Sequence, residues 1–407
     1  NSLVELLWDE TLQPSHYGYL LNLLAVIPLI LIGSYYFIGI TSLLLLILMT
    51  VINVTVIHFF KKKHFNKLPI FSIKYLSSLI KTADNINSIE NPILQEYQKE
   101  LKPLLKKTRK LSKKISIIIP KTVRSDADLI FDYLNNLFLI EIRSFNSSLY
   151  DIKENIKELK KIYRLVGKID SLLSIASYRE SLTYYCLPEF VKGREDRELE
   201  IEDVYHPLLK KPVSNSIKLN NTGVIITGSN MAGKSTFLRT IGINVLMAQT
   251  ISTCLAGSYK SSMMKVVTSI SKTDNILEGK SFYFAEAERL LKLVNSIKGD
   301  FPALCIIDEL LSGTNSVERL YASEGILDYL FKNNVLTMVA THDLDLADRL
   351  KDRYDCYHFN DNVSKYGLDF DYILKRGNAL TFNAIKLLEY LNYPEEITDR
   401  ARIKKSY

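Results

Sequence analysis

The chain has 407 residues, with 52 Lys and Arg against 45 Asp and Glu and a net charge of +7. That length holds about one to three domains with a sizeable core, and the small basic excess suits nucleic acid or anionic lipid without selecting either. Cys186, Cys254, Cys305 and Cys356 have neither zinc-ligand spacing nor the density of a disulfide framework, so reduced, buried thiols are expected. The chain opens on Asn1 rather than Met, which fits a fragment of a longer protein.

After an N-terminal segment (1–16), Tyr17 to Phe60 contains no Asp, Glu, Lys or Arg. This run of about 44 residues would be roughly 66 Å as one helix, about twice the hydrocarbon thickness of a bilayer. Two transmembrane helices are therefore expected within 17–60, near 18–34 and 39–59. Gly33-Ser34 and Gly39 bracket the turn, and Tyr35, Tyr36 and Phe37 suit an interface. Lys61-Lys62-Lys63-His64 follows at once and reads as a cytoplasmic anchor, which puts both ends of the hairpin, and everything after it, in the cytoplasm. A cleaved signal peptide is not expected, because residues 1–16 carry no Lys or Arg.

Residues 61–185 are poor in Gly and rich in Leu, Ile, Lys and Glu. Leu101, Leu104, Leu105, Leu111, Ile115 and Ile118 recur at helical spacing, as do Ile152, Ile156, Leu159, Ile162, Leu165 and Ile169. Asp151 to Arg179 is predicted as one long helix, with Pro103 a helix start and Pro120 an end or kink. Lys99 to Arg124 is strongly basic, suited to lipid headgroups, to nucleic acid phosphates, or simply to water.

The chemistry is concentrated downstream. Val224-Ile225-Ile226 predicts a buried strand, Ser235 to Ala248 a helix, and between them lies Gly228-Ser229-Asn230-Met231-Ala232-Gly233-Lys234-Ser235-Thr236. Strand, glycine loop and helix in that order make a phosphate-binding loop. Its N–H groups face phosphates, Lys234 reaches the β- and γ-phosphates of ATP, and the Ser235 hydroxyl is a Mg²⁺ ligand. A second apolar strand, Ala303 to Ile307, closes on Asp308-Glu309. Asp308 is placed to hold Mg²⁺ and Glu309 to deprotonate the attacking water. A third strand, Val335 to Ala340, leads to Thr341-His342-Asp343, where His342 would sense or stabilise the transferring group. Three strands with functional C-terminal ends imply a mostly parallel sheet.

The run ITGSNMAGKSTFLRTIGINVLMAQ resembles the ATPase domain of the MutS family of DNA mismatch-repair proteins. Tyr205-His206-Pro207, Asn215-Ser216-Ile217, Asp274, Gly279-Lys280-Ser281-Phe282, Asp308 to Thr314, Ala340-Thr341-His342 and Tyr372 to Ala384 resemble further elements of it in order. Ser171 to Pro188 looks like the end of its lever helices. The resemblance implies an α/β P-loop NTPase of ABC type over 186–407, after an all-α lever-like region and a membrane hairpin. It implies ATP and Mg²⁺ as cofactors, a head-to-tail homodimer in which Ser281 reaches the partner's γ-phosphate, and DNA as a candidate ligand. Ser281 as a helix cap is the alternative.

Departures from the pattern qualify this. Ser229 and Ala232 stand where the family usually has Pro and Gly. Pro212 or Val213 stands where it usually offers an aromatic residue to adenine, leaving His206 as a candidate for base recognition or for a local turn. The mismatch-reading Phe-x-Glu wedge has no counterpart, since Phe284-Ala285-Glu286 lies in the ATPase signature segment. The chain thus looks like a membrane-anchored, MutS-like branch without the mismatch-recognition domain. An ABC-transporter-like ATPase is an alternative, but Leu311-Ser312-Gly313 follows the second strand instead of preceding it, and two spans are few for a transport path. An ATP-switched membrane scaffold acting on a protein partner is a third reading, against which Glu309 argues.

Overall fold

The computed structural model describes residues 2–8, 17–64, 70–118, 126–191, 197–229, 231–270, 282–299, 301–333, 335–364, 367–378, 391 and 393–394. Two compact units form, 1–174 and 175–407.

The first unit is helical: α1 (Ser2–Trp8), α2 (Gly18–Ile38), α3 (Ile40–His64), α4 (Ile70–Ser88), α5 (Gln95–Ile118), α6 (Asp126–Phe138), α7 (Ile140–Glu154) and α8 (Ile156–Glu180), the last running on past residue 174. Helices α2 and α3 are long and apolar enough to cross a membrane, over Gly18–Ile38 and Ile40–Lys62, and other parts of the protein cover little of their surface. The turn between them is tighter than expected. Gly39 alone, at φ 58°, reverses the chain, while Gly33 and Ser34 stay helical and Ser34 Oγ donates to Leu31 O at 2.9 Å. Leu76, Leu101, Leu111, Ile115, Ile142, Phe145, Leu159 and Ile162 form the core of this unit.

Two helix boundaries correct the sequence reading. Pro103 lies inside α5, whose start is marked instead by Asn91 capping a 3-10 turn at Pro92–Leu94. Burial of Leu101, Leu105, Leu111 and Ile115 on one continuous face outweighs the single backbone hydrogen bond that an exposed proline removes. The helix expected from Asp151 to Arg179 is broken at Asn155. There the backbone leaves helical geometry, and the Asn155 N–H and side-chain amide both donate to Asp151 O.

The second unit is α/β. Its strands are β1 (Glu189–Phe190), β2 (Glu198–Val204), β3 (Asn215–Asn220), β4 (Gly223–Thr227), β5 (Ser258–Ser261), β6 (Lys265–Ser269), β7 (Ala303–Asp308), β8 (Leu336–Ala340), β9 (Tyr354–Ser364) and β10 (Gly367–Arg376). They form a smaller sheet, β1-β5-β2-β3, and a larger one, β10-β9-β4-β8-β7-β6, in which only β10 is antiparallel to its neighbour. Among the described residues, helices α9 (Lys234–Ile251), α10 (Phe282–Ser296), α11 (Ser316–Lys332) and α12 (Leu344–Leu350) accompany the sheets.

The central strands β4, β7 and β8 of the larger sheet are buried on both faces, as parallel strands between helical layers must be. Val224, Ile226, Leu304 and Ile306 pack with Phe237, Leu238 and Ile241 of α9. Their neighbours Ile225, Cys305, Ile307 and Val339 pack with Leu290, Leu327 and Leu346 on the other side. The thiols are less uniform than expected. Cys254 and Cys305 are buried, and burial pushes Cys305 up to about 12, but Cys186 and Cys356 are only half-buried. Cys186 and Cys254 exchange both backbone hydrogen bonds as an isolated antiparallel pair.

Candidate active site

Strand β4 lies between β8 and β9, so the chain crosses to opposite sides of it and opens a crevice at its C-terminal end. The glycine loop sits there. Gly228 has φ 138°, and a Cβ on it would come within 2.8 Å of Phe359 O. Gly233 has φ 105° and caps α9 without a side-chain hydrogen bond, which leaves the first N–H groups of the helix directed at the loop. Ala232 is fully buried, and its N–H donates to Ser229 O at 3.3 Å. Lys234 is also buried, with Nζ donating to Gly228 O at 2.7 Å and Ser229 O at 2.8 Å. A buried ammonium held by loop carbonyls beside a helix N-terminus is a binding device for polyanions. Glycine at 228 is what lets the loop lie this close to the β9 backbone.

The acidic and imidazole groups come from the two neighbouring strand ends. Beyond the regular pairing, Thr341 N–H donates to Ile226 O at 3.0 Å and Glu309 N–H to Ala340 O at 2.9 Å, which stitches the ends of β4, β8 and β7 together. Asp308 closes β7 in register with Ala340. Glu309 follows at φ 61°, a left-handed conformation that is costly for a non-glycine residue and turns the chain sharply off the strand. His342 Nδ1 lies 3.4 Å from Glu309 Oε1. The Glu309 side chain is 13% exposed and that of His342 50%, so the carboxylate is sheltered and the imidazole faces outward. Asp343 holds the His342 turn by capping Leu346 N–H and pairing with Arg319 at 3.4 Å.

A cavity of about 510 Å³ adjoins the loop, lined by Gly233 to Phe237 together with His206, Lys211, Val213, Met231 and Tyr372. Sequence reasoning placed His206, Met231, Gly233, Lys234, Ser235 and Thr236 here, and they do share it. His206 also serves its local turn, since Nδ1 accepts from Leu208 N–H at 3.2 Å. Burial, aided by the Arg239 charge, holds the His206 imidazole below its ordinary pKa. Asn244 ties this wall to α9. It is fully buried, donates to Tyr205 O and Thr240 O, and accepts from Leu255 N–H.

Tyr372 is an aromatic lining residue to which sequence reasoning gave no role in the site. It lies in β10, at φ 54° within a register shift between Phe370 and Leu374. Asn215 shapes that bulge, donating to Tyr372 O at 3.0 Å and accepting from Leu374 N–H at 2.7 Å. The ring approaches Gly233 closely enough that a Cβ there would be 3.3 Å from Tyr372 Cδ1. The resemblance marked Tyr372 as the start of a later family element, but its place in the cavity follows only from the β9–β10 hairpin that returns it to the loop. Asn230, Asp274, Ser281 and residues 379–390 lie outside the described residues. On the near side of that gap, buried Glu286 of α10 accepts from Ser312 Oγ at 3.5 Å, behind the turn that follows Glu309.

Comparison with known proteins matches residues 224–406 to MutS domain V. The DNA mismatch repair protein MutS of Desulforapulum autotrophicum is 32% identical over 232 residues, covering 52% of this chain and 25% of that protein. The DNA mismatch repair protein MSH3 of Phaeosphaeria nodorum is 29% identical over 279 residues, 65% of this chain and 24% of that protein. The human MutS protein homolog 4 is 31% identical over 267 residues, 61% of this chain and 28% of that protein. The chain thus spans about a quarter of the length of these relatives.

Proposed function

We propose, from the premise that this chain belongs to the MutS family by its domain V, that it binds and hydrolyses Mg-ATP at the glycine loop while tethered to a membrane by α2 and α3. The observation carrying this reading is the 3.4 Å pair of Glu309 and His342, held at strand ends that are hydrogen-bonded in turn to the end of β4, whose loop carries the buried Lys234.

Lys234 exchanges the carbonyls of Gly228 and Ser229 for the β- and γ-phosphate oxygens. Ser235 and Asp308 would hold Mg²⁺ through their oxygens, and the ion would offset phosphate charge. Glu309 accepts the proton of the attacking water as the new oxygen–phosphorus bond forms and the bond to the β,γ-bridging oxygen breaks. His342 donates to the γ-phosphate and orients Glu309. Tyr372 stacks on the base, the part the resemblance left without an aromatic residue, and His206 lines the same wall. Base–aromatic stacking contributes about 1–3 kcal/mol, so Tyr372→Ala is expected to weaken ATP binding about tenfold. Because the ring is remote from Glu309 in function, KM should rise with kcat nearly unchanged. An equal fall in kcat would remove Tyr372 from base recognition.

Two ATPase domains are proposed to close head to tail, with Ser281 of each approaching the other's nucleotide. The outward exposure of His342 and of Met231, 69% exposed, supports a site completed by a second surface. Membrane tethering is supported by the bare apolar surfaces of α2 and α3 and by the Lys61-Lys62-Lys63 run, which would face the cytoplasm together with the ATPase domain. The relatives are named for DNA mismatch repair, which makes structured DNA the first ligand to test. With the chain purified in detergent at fixed low salt, mismatched or branched duplex is expected to change the rate of ATP hydrolysis. No change with any DNA would redirect the reading to a protein or lipid partner.

A further inference from the structure

A second cavity, of about 610 Å³, lies wholly within the helical unit. Its walls are the first turn of α2 from Gly18 to Asn22, Lys114 of α5, and the stretch of α7 from Ile140 to Tyr150. Among the described residues no Asp or Glu lines it, whereas Lys114, Arg143, Asn22, Ser144, Ser147 and Tyr150 all bring hydrogen-bond donors. Lys114 is held by Ser147 Oγ at 2.8 Å and balanced by Asp151 at 2.6 Å, which is not a lining residue. The Arg143 guanidinium is oriented by Nε donating to Asn22 Oδ1 at 2.8 Å and Nη1 to Phe138 O at 3.4 Å. The balance of the lining is a single positive charge on a fixed planar fork, the geometry that suits a phosphate oxygen pair. The N-terminus of α2, where Tyr17 makes no side-chain capping hydrogen bond, adds partial positive charge on the same side.

Internal contacts fix the level of this cavity along the apolar hairpin. It opens where the uncharged run begins, at Gly18. On the adjoining helix, Lys61 closes the run and pairs with Glu141, two residues before Arg143. The turn between α6 and α7 lies deeper. Asn53 Nδ2 donates to Leu137 O at 2.7 Å, and eight helical residues separate Asn53 from Lys61, roughly 12 Å along the axis. The backbone of that turn is satisfied as hydrocarbon surroundings demand: Leu137 O by Asn53, Phe138 O by Arg143, and Glu141 N–H by Asn135 Oδ1 at 2.7 Å. Arg143 and Lys61 therefore sit where apolar surroundings give way to headgroups. Leu20 and Leu23 of α2 and Ile130 and Tyr133 of α6 are exposed on helices that pack together beside this level.

We propose that this cavity binds the phosphate of an anionic phospholipid, with Arg143 as the principal contact and the acyl chains along α2 and α6. The proposal rests on the reading of α2 and α3 as membrane spans. The test uses the full chain purified in detergent and exposed to equal amounts of phosphatidylglycerol and phosphatidylcholine, with bound lipid counted by native mass spectrometry. One net cation at the headgroup level predicts about fivefold preference for phosphatidylglycerol. Arg143→Gln should bring the preference to parity. Ser144→Leu, which fills the cavity and leaves the Arg143 hydrogen bonds in place, should do the same and keeps the test valid if Arg143→Gln misfolds. Equal retention of both lipids by the wild type, or unchanged preference in Ser144→Leu, overturns the proposal. Displacement of the lipid by millimolar glycerol 3-phosphate would assign the cavity to soluble phosphate esters and overturn the lipid source. Flotation with vesicles reports separately on the spans. A chain that fails to float with vesicles of either lipid refutes the membrane reading itself, and the lipid assignment with it.

Discussion

Glu309→Gln is expected to reduce the steady-state rate of ATP hydrolysis by about a hundredfold or more, the usual contribution of a positioned general base being ~10²–10⁴. The substitution keeps the shape of a side chain that is largely sheltered and loses only its capacity to accept a proton. ATP affinity should stay nearly unchanged, because the loop, Lys234 and the cavity walls are untouched. The paired measurement is therefore turnover by phosphate release and binding by a fluorescent nucleotide. A variant that turns over within about threefold of wild type would show that no general base of this kind operates. His342→Gln, which retains a donor near the γ-phosphate, should cost less than Glu309→Gln if the carboxylate carries the proton transfer.

Gly228→Ala should abolish nucleotide binding and destabilise the α/β unit. At φ 138° an L-residue is strained, and the added Cβ would lie 2.8 Å from a backbone oxygen of β9 that cannot swing away. Held strain of this kind costs about 1–3 kcal/mol, or roughly 4–8 °C in Tm for a unit of this size at ~2 kcal/mol. The larger loss is functional. Moving the loop to relieve the contact displaces the two carbonyls that hold Lys234. Wild-type Tm is expected to rise with Mg-ATP, and that of the variant to stay flat. Gly325→Ala on α11 is the control, since nothing lies within 4 Å of its Cβ and alanine favours a helix by up to ~1 kcal/mol. A Gly228→Ala protein that still gains stability from ATP would remove the loop from the binding site.

Much of the site was readable because it is local. The spacing of Gly228, Gly233 and Lys234 is a stretch of backbone geometry written in consecutive residues, and the strands before Asp308 and Thr341 announce themselves by unbroken apolar runs. Boundaries set by competition between local and distant forces were less legible. Pro103 reads as a helix start, yet the apolar face of α5 carries through it. Asn155 interrupts a periodicity that looks continuous, because a side-chain amide captures the carbonyl of Asp151. The cavity wall was least legible. Tyr372 stands 138 residues beyond Lys234 (372 against 234), and it meets Gly233 only through the pairing of β10 with β9 and the bulge held by Asn215.

The amino-acid order alone determined the family resemblance, the phosphate-binding loop, the acidic end of the second strand and the uncharged length of the N-terminal run. Each of these rests on backbone conformation or apolar periodicity within about one element. Tertiary structure alone decided that Glu309 meets His342, that an aromatic ring lines the cavity beside the glycine loop, and that Arg143 is fixed beside the first turn of α2. Those pairings depend on strand order and helix packing, which bring together side chains that no spacing in the sequence relates.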